Sequence, residues 1–473
     1  MDTKQTVKNF FSFSVGNLIA GFIGFAVTIY LARTFGPQGF GQIQFSLALI
    51  SYFLLTSDLG IGIFGAREIA KNKRMVNKYV DDLLSLKIFL VLISLFLYTI
   101  LISVIKFDEG TRKLLFLYGV SIIPLAFLIE WVFQGIQRME FIGEERIIKS
   151  LFYALFIFLL VKTNKQILWV PICYIISACI GVSFLFYNYI KIEGEIHPRF
   201  DIGLCKAVLP GSIPIGFSLI MTKMYYNMDS VFLGFMKNDY SVGLYNAAYK
   251  IILFILGFLF IFGNVILPTI AKLYAQSSPL LEKFLHRLLR LALMVSLPLT
   301  IGVTILGNKI MMLVYRSDFS GSVIALQILI WTVFIISLSM VYSNSLIAFN
   351  KEKRYMYGVA IGVIVNTAFN FLLIPKFDFK GAAIATVITE LTVFFYMRHE
   401  FQKVYRLKID NAVIKIIMAS ILTGYLLWLI RNLPLYISII SGIVAYSIFL
   451  LITRVVTKKE LLHVRNLIIK KNE

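Results

Sequence analysis

Lys223 and Asp229 lie in one long apolar stretch, with Tyr225, Tyr226 and Asn227 between them. Lys250 lies in the next such stretch, beside Tyr245, Asn246 and Tyr249. Two cations so placed suit a phosphate or diphosphate, because the lysine ammonium is a compact point charge with three donors. Tyrosines and amides suit sugar rings, and tyrosine also belongs to the interfacial belt of membrane helices, where Tyr245 is assigned. Lys223 and Asp229 are six residues apart, about 240° around a helix, so they do not share a face. Two readings stay open for the lysines. They form a ligand site, or they pair internally, with Lys250 bridging to Asp229.

Asp58, Glu130 and Glu390 fall in the inner halves of other apolar stretches. Ionisable groups are costly in hydrocarbon and face a cavity or a partner. Together with Asp229 these carboxyls are candidates to carry a coupling proton or Na⁺, and equally candidates for structural hydrogen bonding. Lys87 sits near the end of its stretch, where its stem lets the ammonium snorkel to water. No metal or organic cofactor is expected. The four histidines, His197, His286, His399 and His463, lack metal-ligand spacing, and there is no phosphate-binding loop for a nucleotide.

The elements that position these residues follow from composition. Of 473 residues 59% are hydrophobic and 15% charged, with a mean hydropathy of +0.83. A spanning helix needs about 20 mostly apolar residues. Fourteen such segments are expected, at 10–32, 41–64, 82–105, 114–136, 147–162, 167–190, 207–236, 241–268, 288–306, 322–349, 355–375, 380–397, 411–430 and 434–453, the fifth being the shortest. Unbroken apolar runs without period-2 alternation specify helices rather than a barrel. The first segment is too long for a signal peptide and is read as a retained helix. Cys173, Cys179 and Cys205 suggest no disulfide framework, and the first two are read as packing residues.

With both termini cytoplasmic, 31 Lys and Arg fall on the inner side and 12 on the outer, as the positive-inside rule requires. Topology and anionic head groups thus account for the net charge of +21 without nucleic acid. The tail Lys458–Lys470 alternates basic and apolar residues and suits a helix lying on the inner leaflet.

Two hairpins look alike. Tyr30–Ser46 and Val231–Tyr249 each carry a turn followed by an aromatic or Gly step, centred on Gly41 and Gly243. The offset of six segments preserves orientation, so two parallel six-helix lobes are expected, 1–200 and 201–405, with a cleft between them. Residues 406–473 add two helices and the basic tail. Pro210, Gly211, Pro214 and Gly216 open the seventh segment. They predict a bent or unwound stretch, which either lines a cavity or is inert packing.

Tyr30–Gly41, Ser57–Gly60 with Ala66–Glu68, Val242–Tyr249 and Lys380–Thr386 resemble, in order and spacing, the Wzx-like polysaccharide-biosynthesis flippases. These belong to the multidrug/oligosaccharidyl-lipid/polysaccharide (MOP) exporter superfamily. The resemblance runs over essentially the whole chain. It implies an all-α polytopic fold like that of the MATE transporters, working by alternating access. It implies transfer of undecaprenyl-pyrophosphate-linked oligosaccharide to the outer leaflet of a bacterial inner membrane, for O-antigen, capsule or exopolysaccharide. Candidate partners are that lipid, membrane lipids, and glycan polymerase and assembly proteins. Lys223 and Lys250 fit the cationic cavities of the family, and Arg33 matches a recurrent family position. The competing readings are a drug or cation antiporter of the same fold, a lipid II flippase, and a non-transporting scaffold for glycan assembly.

Overall fold

The computed structural model describes residues 3–197, 202–277, 279–407, 412–453 and 455, without the side chains of residues 3–11, 202, 204–207 and 264. The basic tail and His463 lie outside the described residues, as does the Cys205 side chain.

Sixteen α-helices follow one another, and no strand occurs among the described residues. They are α1 (Thr3–Thr56), α2 (Ile61–Lys71), α3 (Val76–Val104), α4 (Glu109–Val120), α5 (Ile122–Ala126), α6 (Glu130–Gly135), α7 (Glu140–Leu160) and α8 (Trp169–Glu193). Then come α9 (Ile202–Met236), α10 (Asp239–Ala275), α11 (Leu280–Tyr315), α12 (Ser322–Ala348), α13 (Glu352–Phe377), α14 (Phe379–Gln402), α15 (Ala412–Leu429) and α16 (Leu435–Ile452). Each of the fourteen expected segments falls on a helix, and eleven stretches among the described residues are long and apolar enough to cross a bilayer. The chain is a polytopic all-α membrane protein.

The helix ends depart from expectation for local reasons. The first two expected segments form the single run α1, broken at Gly36 (φ 64°, ψ −176°). That left-handed backbone favours glycine, and Pro37 follows it. A second break, at Leu59 (φ 42°) and Gly60 (φ 79°), separates α1 from α2. The fourth expected segment is divided among α4, α5 and α6. By contrast, α9 stays helical through Pro210 and Pro214, where unwinding was expected. The opposing chain opens instead. A Cβ on Gly60 would lie 2.5 Å from both the Ser212 oxygen and the Gly216 nitrogen, so only an open, side-chain-free turn fits against α9. The shortest expected segment is longer than its apolar run. α7 begins seven residues before it, with a charged first half that contains Glu140, Glu144, Glu145, Arg146 and Lys149.

The chain packs as two compact units, Met1–Asn246 and Ala247–Glu473. In the first, α7 packs on α1 and α8, α9 packs on α1 and α2, and α2 packs on α6. Its core includes Ile61, Leu83, Trp131, Phe133 and Tyr189. In the second, α12 packs on α11 and α14, α13 on α14, and α15 on α11 and α16. α9 and the start of α10 therefore belong to the first unit, whereas the expected lobe boundary falls at 200/201.

The two look-alike hairpins meet within the first unit. A Cβ on Gly41 would stand 1.7 Å from the carbonyl oxygen of Asp239, and one on Gly243 would stand 1.8 Å from that of Pro37. Each glycine faces the residue four before the other, so the contact is reciprocal. It is the geometry of a two-fold crossing between like hairpins. Asn238 completes the second turn by accepting from Ser241 N at 2.9 Å.

Candidate functional site

Lys223 lies 13 residues, about 20 Å, from the C-terminal end of α9 at Met236. Its side chain is exposed, and it makes no hydrogen bond or ion pair among the described residues. Tyr226 and Asn227 follow at three and four residues, on the same face. Asn227 Nδ2 donates to Ser51 Oγ on α1 at 3.1 Å, which fixes that face of α9 against α1. Tyr226 meets Tyr225 edge to face, with ring centroids 5.5 Å apart.

Asp229, on a different face of α9, is buried and accepts from the Tyr245 hydroxyl at 2.5 Å. Tyr245 is fully buried, so it does not belong to the interfacial belt to which its sequence assigned it. The cause is the hairpin itself, which folds α10 back on α9 and turns Tyr245 towards the carboxylate. Asn246 and Ser230 bond each other across the same hairpin at 3.0 Å. Tyr249 is buried on the next turn of α10, and Lys250 beside it is half-buried. Arg33 is exposed on the last turn of α1 before Gly36.

Three other carboxyls of the first unit, Asp58, Glu130 and Glu145, are held by cations. Lys87 Nζ lies 2.7 Å from Asp58 Oδ1 and donates to the carbonyl oxygen of Ala126 at 3.2 Å. Lys87 is only 3% exposed, so it does not snorkel. The break after α5 frees a carbonyl that the ammonium satisfies, and Asp58 supplies the counter-charge. Glu130 opens α6 and receives a two-pronged bond from Arg146 on α7, at 2.8 Å and 3.2 Å. Arg146 also donates to Asn17 and lies over the Phe13 ring at 4.8 Å. Glu145 is buried and pairs with Lys149 one turn on, at 2.8 Å. Asp58 and Glu130 are thus members of ion pairs. Arg146 is the partner that sequence reasoning missed, because it counted as a loop residue. Its signal was the i, i+3 pair Arg146–Lys149 entering an apolar run. Glu390 is buried on α14.

Beyond the apolar part of α1 and α2, Lys71 bonds Glu68 at 2.9 Å and Arg67 lies at 3.1 Å. The Lys71 hydrogen bond, with Arg67 beside it, holds the Glu68 carboxyl below its ordinary range. Cys173 is buried, whereas Cys179 is exposed on α8 and is not a packing residue.

A long series of apolar helices, reversed at tight turns and carrying ion pairs within its packed core, defines a multi-pass membrane protein. The same architecture is found in a solved structure of the lipid II flippase MurJ in its inward closed conformation. It matches with a TM-score of 0.77 at 16% identity, over 92% of this chain and 97% of that one. The chain belongs to the polysaccharide biosynthesis protein family, whose signature matches residues 6–274; that of the lipid II flippase MurJ matches residues 142–453. Among curated relatives, the capsular polysaccharide biosynthesis protein CapF of Staphylococcus aureus is 22% identical, over 84% of this chain and all of the relative. A putative O-antigen transporter of Shigella dysenteriae is 25% identical, over 79% of this chain and 94% of the relative.

Proposed function

We propose that this protein is a flippase for a polysaccharide repeat unit carried on a lipid, with undecaprenyl pyrophosphate as the carrier. It moves the head group from the cytoplasmic to the outer leaflet of a bacterial inner membrane by alternating access, with both termini cytoplasmic. The family and the relatives' names support the substrate class, and the Lys and Arg bias of the loops supports the orientation. The single observation that carries the reading is Lys223. It is a cation well inside α9 with no ion-pair partner among the described residues, in a unit where Lys87, Arg146 and Lys149 each hold a carboxylate. An anion supplied by the substrate completes it, with Tyr226 and Asn227 on the same face to meet sugar hydroxyls. Lys250, Tyr249 and Arg33 are the further head-group residues in this reading. Asp58 and Glu130 pair with cations, and Asp229 and Glu390 are the carboxyls this reading assigns to couple H⁺ or Na⁺.

The test is a lipid extract from cells depleted of the protein, with mass analysis of prenyl-linked glycans. A complete repeat unit should accumulate on the prenyl diphosphate and disappear when wild type is restored. Lys223→Gln should insert normally yet fail to clear it. Full clearance by that variant refutes the assigned role. A second reading, flipping of lipid II, is favoured by the match to the MurJ family. The mass of the accumulated sugar separates the two.

A further inference from the structure

The second unit contains a cavity of about 220 Å³ between α11, α12, α14 and α15. Its basic lining residues, His286 and Arg290 of α11 and Arg398 of α14, lie nearer their helix ends than Leu293 of α11 and Phe394 of α14, so the mouth at those ends is basic. Phe334 and Leu338 of α12 add to the apolar lining. Arg398 is half-buried and makes no hydrogen bond or ion pair among the described residues. The acid nearest to it in sequence, Glu400, is already held by Arg354 at 3.0 Å and Lys403 at 2.5 Å. His286 faces Glu282, one turn earlier on α11, at 3.6 Å. A basic mouth over an apolar interior matches one chemistry, a phosphodiester with a hydrocarbon chain attached. Val413 and Ile417 of α15 form the remaining wall, and Ile414, Ile417 and Ile421 continue from it as an exposed apolar stripe. That stripe gives an acyl chain a path out of the cavity into the bilayer.

We propose that this cavity binds an anionic phospholipid of the inner leaflet, its phosphate on Arg398 and Arg290 and one acyl chain along α15. The loops at this end are the ones that carry the excess of Lys and Arg, so the mouth faces the leaflet where anionic head groups gather. A basic pocket between helices on that side is a recognised receptor for such head groups. The first unit supplies an internal contrast. Its pocket between α3 and α8, lined by Leu84, Ile88, Phe127, Phe186, Ile190 and Ile196, has Glu195 as its charged residue and no cation in its wall. It offers an anionic head group repulsion rather than a partner. The inference does not depend on which glycan is carried.

The test uses the full-length protein in phosphatidylcholine vesicles doped with phosphatidylglycerol, followed by native mass spectrometry of retained lipid. Wild type should keep phosphatidylglycerol selectively. Arg398→Gln should weaken retention about fivefold, and Arg290→Gln/Arg398→Gln further. Arg398→Lys should recover most of the loss, and Lys162→Gln at the opposite end should change nothing. Retention by the double variant equal to wild type overturns the proposal. So does displacement of the lipid by inorganic phosphate alone, which would make the ligand a soluble anion. Ile417→Trp gives a readout that needs no arginine change. Its added fluorescence should be quenched by brominated phosphatidylglycerol more than by brominated phosphatidylcholine at equal dose, and equal quenching overturns the proposal.

Discussion

The two units treat polar groups in different ways. In the first, Asp58, Glu130 and Glu145 each meet a cation within 2.8 Å, and the pairs stitch α1 to α3 and α6 to α7 or brace α7 along its own length. In the second, the buried polar groups include neutral ones. Asn370 donates to Asn366 at 2.9 Å within α13, and Ser420 and Thr423 bond back to carbonyls of their own helix. The ion pairs Arg354–Glu400, Lys403–Glu400 and His286–Glu282 sit near its helix ends. Where the first unit's chain breaks after α5, the Ala126 carbonyl is met by the Lys87 ammonium. In the second unit Pro298 interrupts the α11 ladder, and the Met294 carbonyl it frees is met by the neutral Tyr446 hydroxyl at 2.9 Å. A freed carbonyl thus meets a charge in the first unit and a neutral hydroxyl in the second.

The comparison breaks first at Lys87. Lys87→Met strands Asp58 and the Ala126 carbonyl and should cost about 3–5 kcal/mol. Thermal unfolding in detergent checks this, and Asp58→Asn on top of it should return part of the loss. A melting temperature unchanged by Lys87→Met would mean that the pair is not structural. Next in size are Gly41→Ala and Gly243→Ala. Each inserts a methyl where a carbonyl already stands and should cost about 1–3 kcal/mol. Because the contact is reciprocal, the double variant should cost less than the sum. Strict additivity would show that the two glycines do not share one crossing. Arg354→Gln, at an exposed helix end of the second unit, should shift stability by less than about 1 kcal/mol. Smallest is Lys223→Gln, which should leave the unfolding free energy within about 0.5 kcal/mol of wild type while transport is lost. A large destabilisation by that variant would place Lys223 among the structural charges and dissolve its contrast with Lys87.

Apolar run length and loop charge made the spanning helices legible, because both report directly on the cost of placing a group in hydrocarbon. The hairpin repeat was legible too, through Gly41 and Gly243, although sequence gave no reason to expect the two glycines to touch. What sequence concealed was pairing. Lys87 looked able to reach water because it lies near a segment end, but α5 stops opposite it and captures the ammonium. Tyr245 looked interfacial because its neighbours are, yet Asp229 draws it inward. Pro210 and Pro214 marked a place of tight backbone packing correctly and the wrong chain to open. Each of these depends on which element lies opposite, and periodicity along one chain carries no record of that.

α7 has a consequence for how the protein is made. Its first half holds Glu140, Glu144, Glu145, Arg146 and Lys149, and it is not among the eleven stretches apolar enough to cross a bilayer unaided. Charges of this kind cost about 2.5–3.5 kcal/mol each at mid-depth during insertion. α8, which packs along it, is among the eleven. Synthesis proceeds from the N-terminus, so α7 leaves the ribosome before the helix that can draw it into the membrane. We infer that α7 waits at the interface and enters as one arm of a hairpin once α8 emerges. A chain cut after residue 168 and tagged there for glycosylation mapping should then keep its end on the cytoplasmic side, and one cut after α8 should show both arms inserted. Translocation of the shorter chain's end would show that α7 enters unaided.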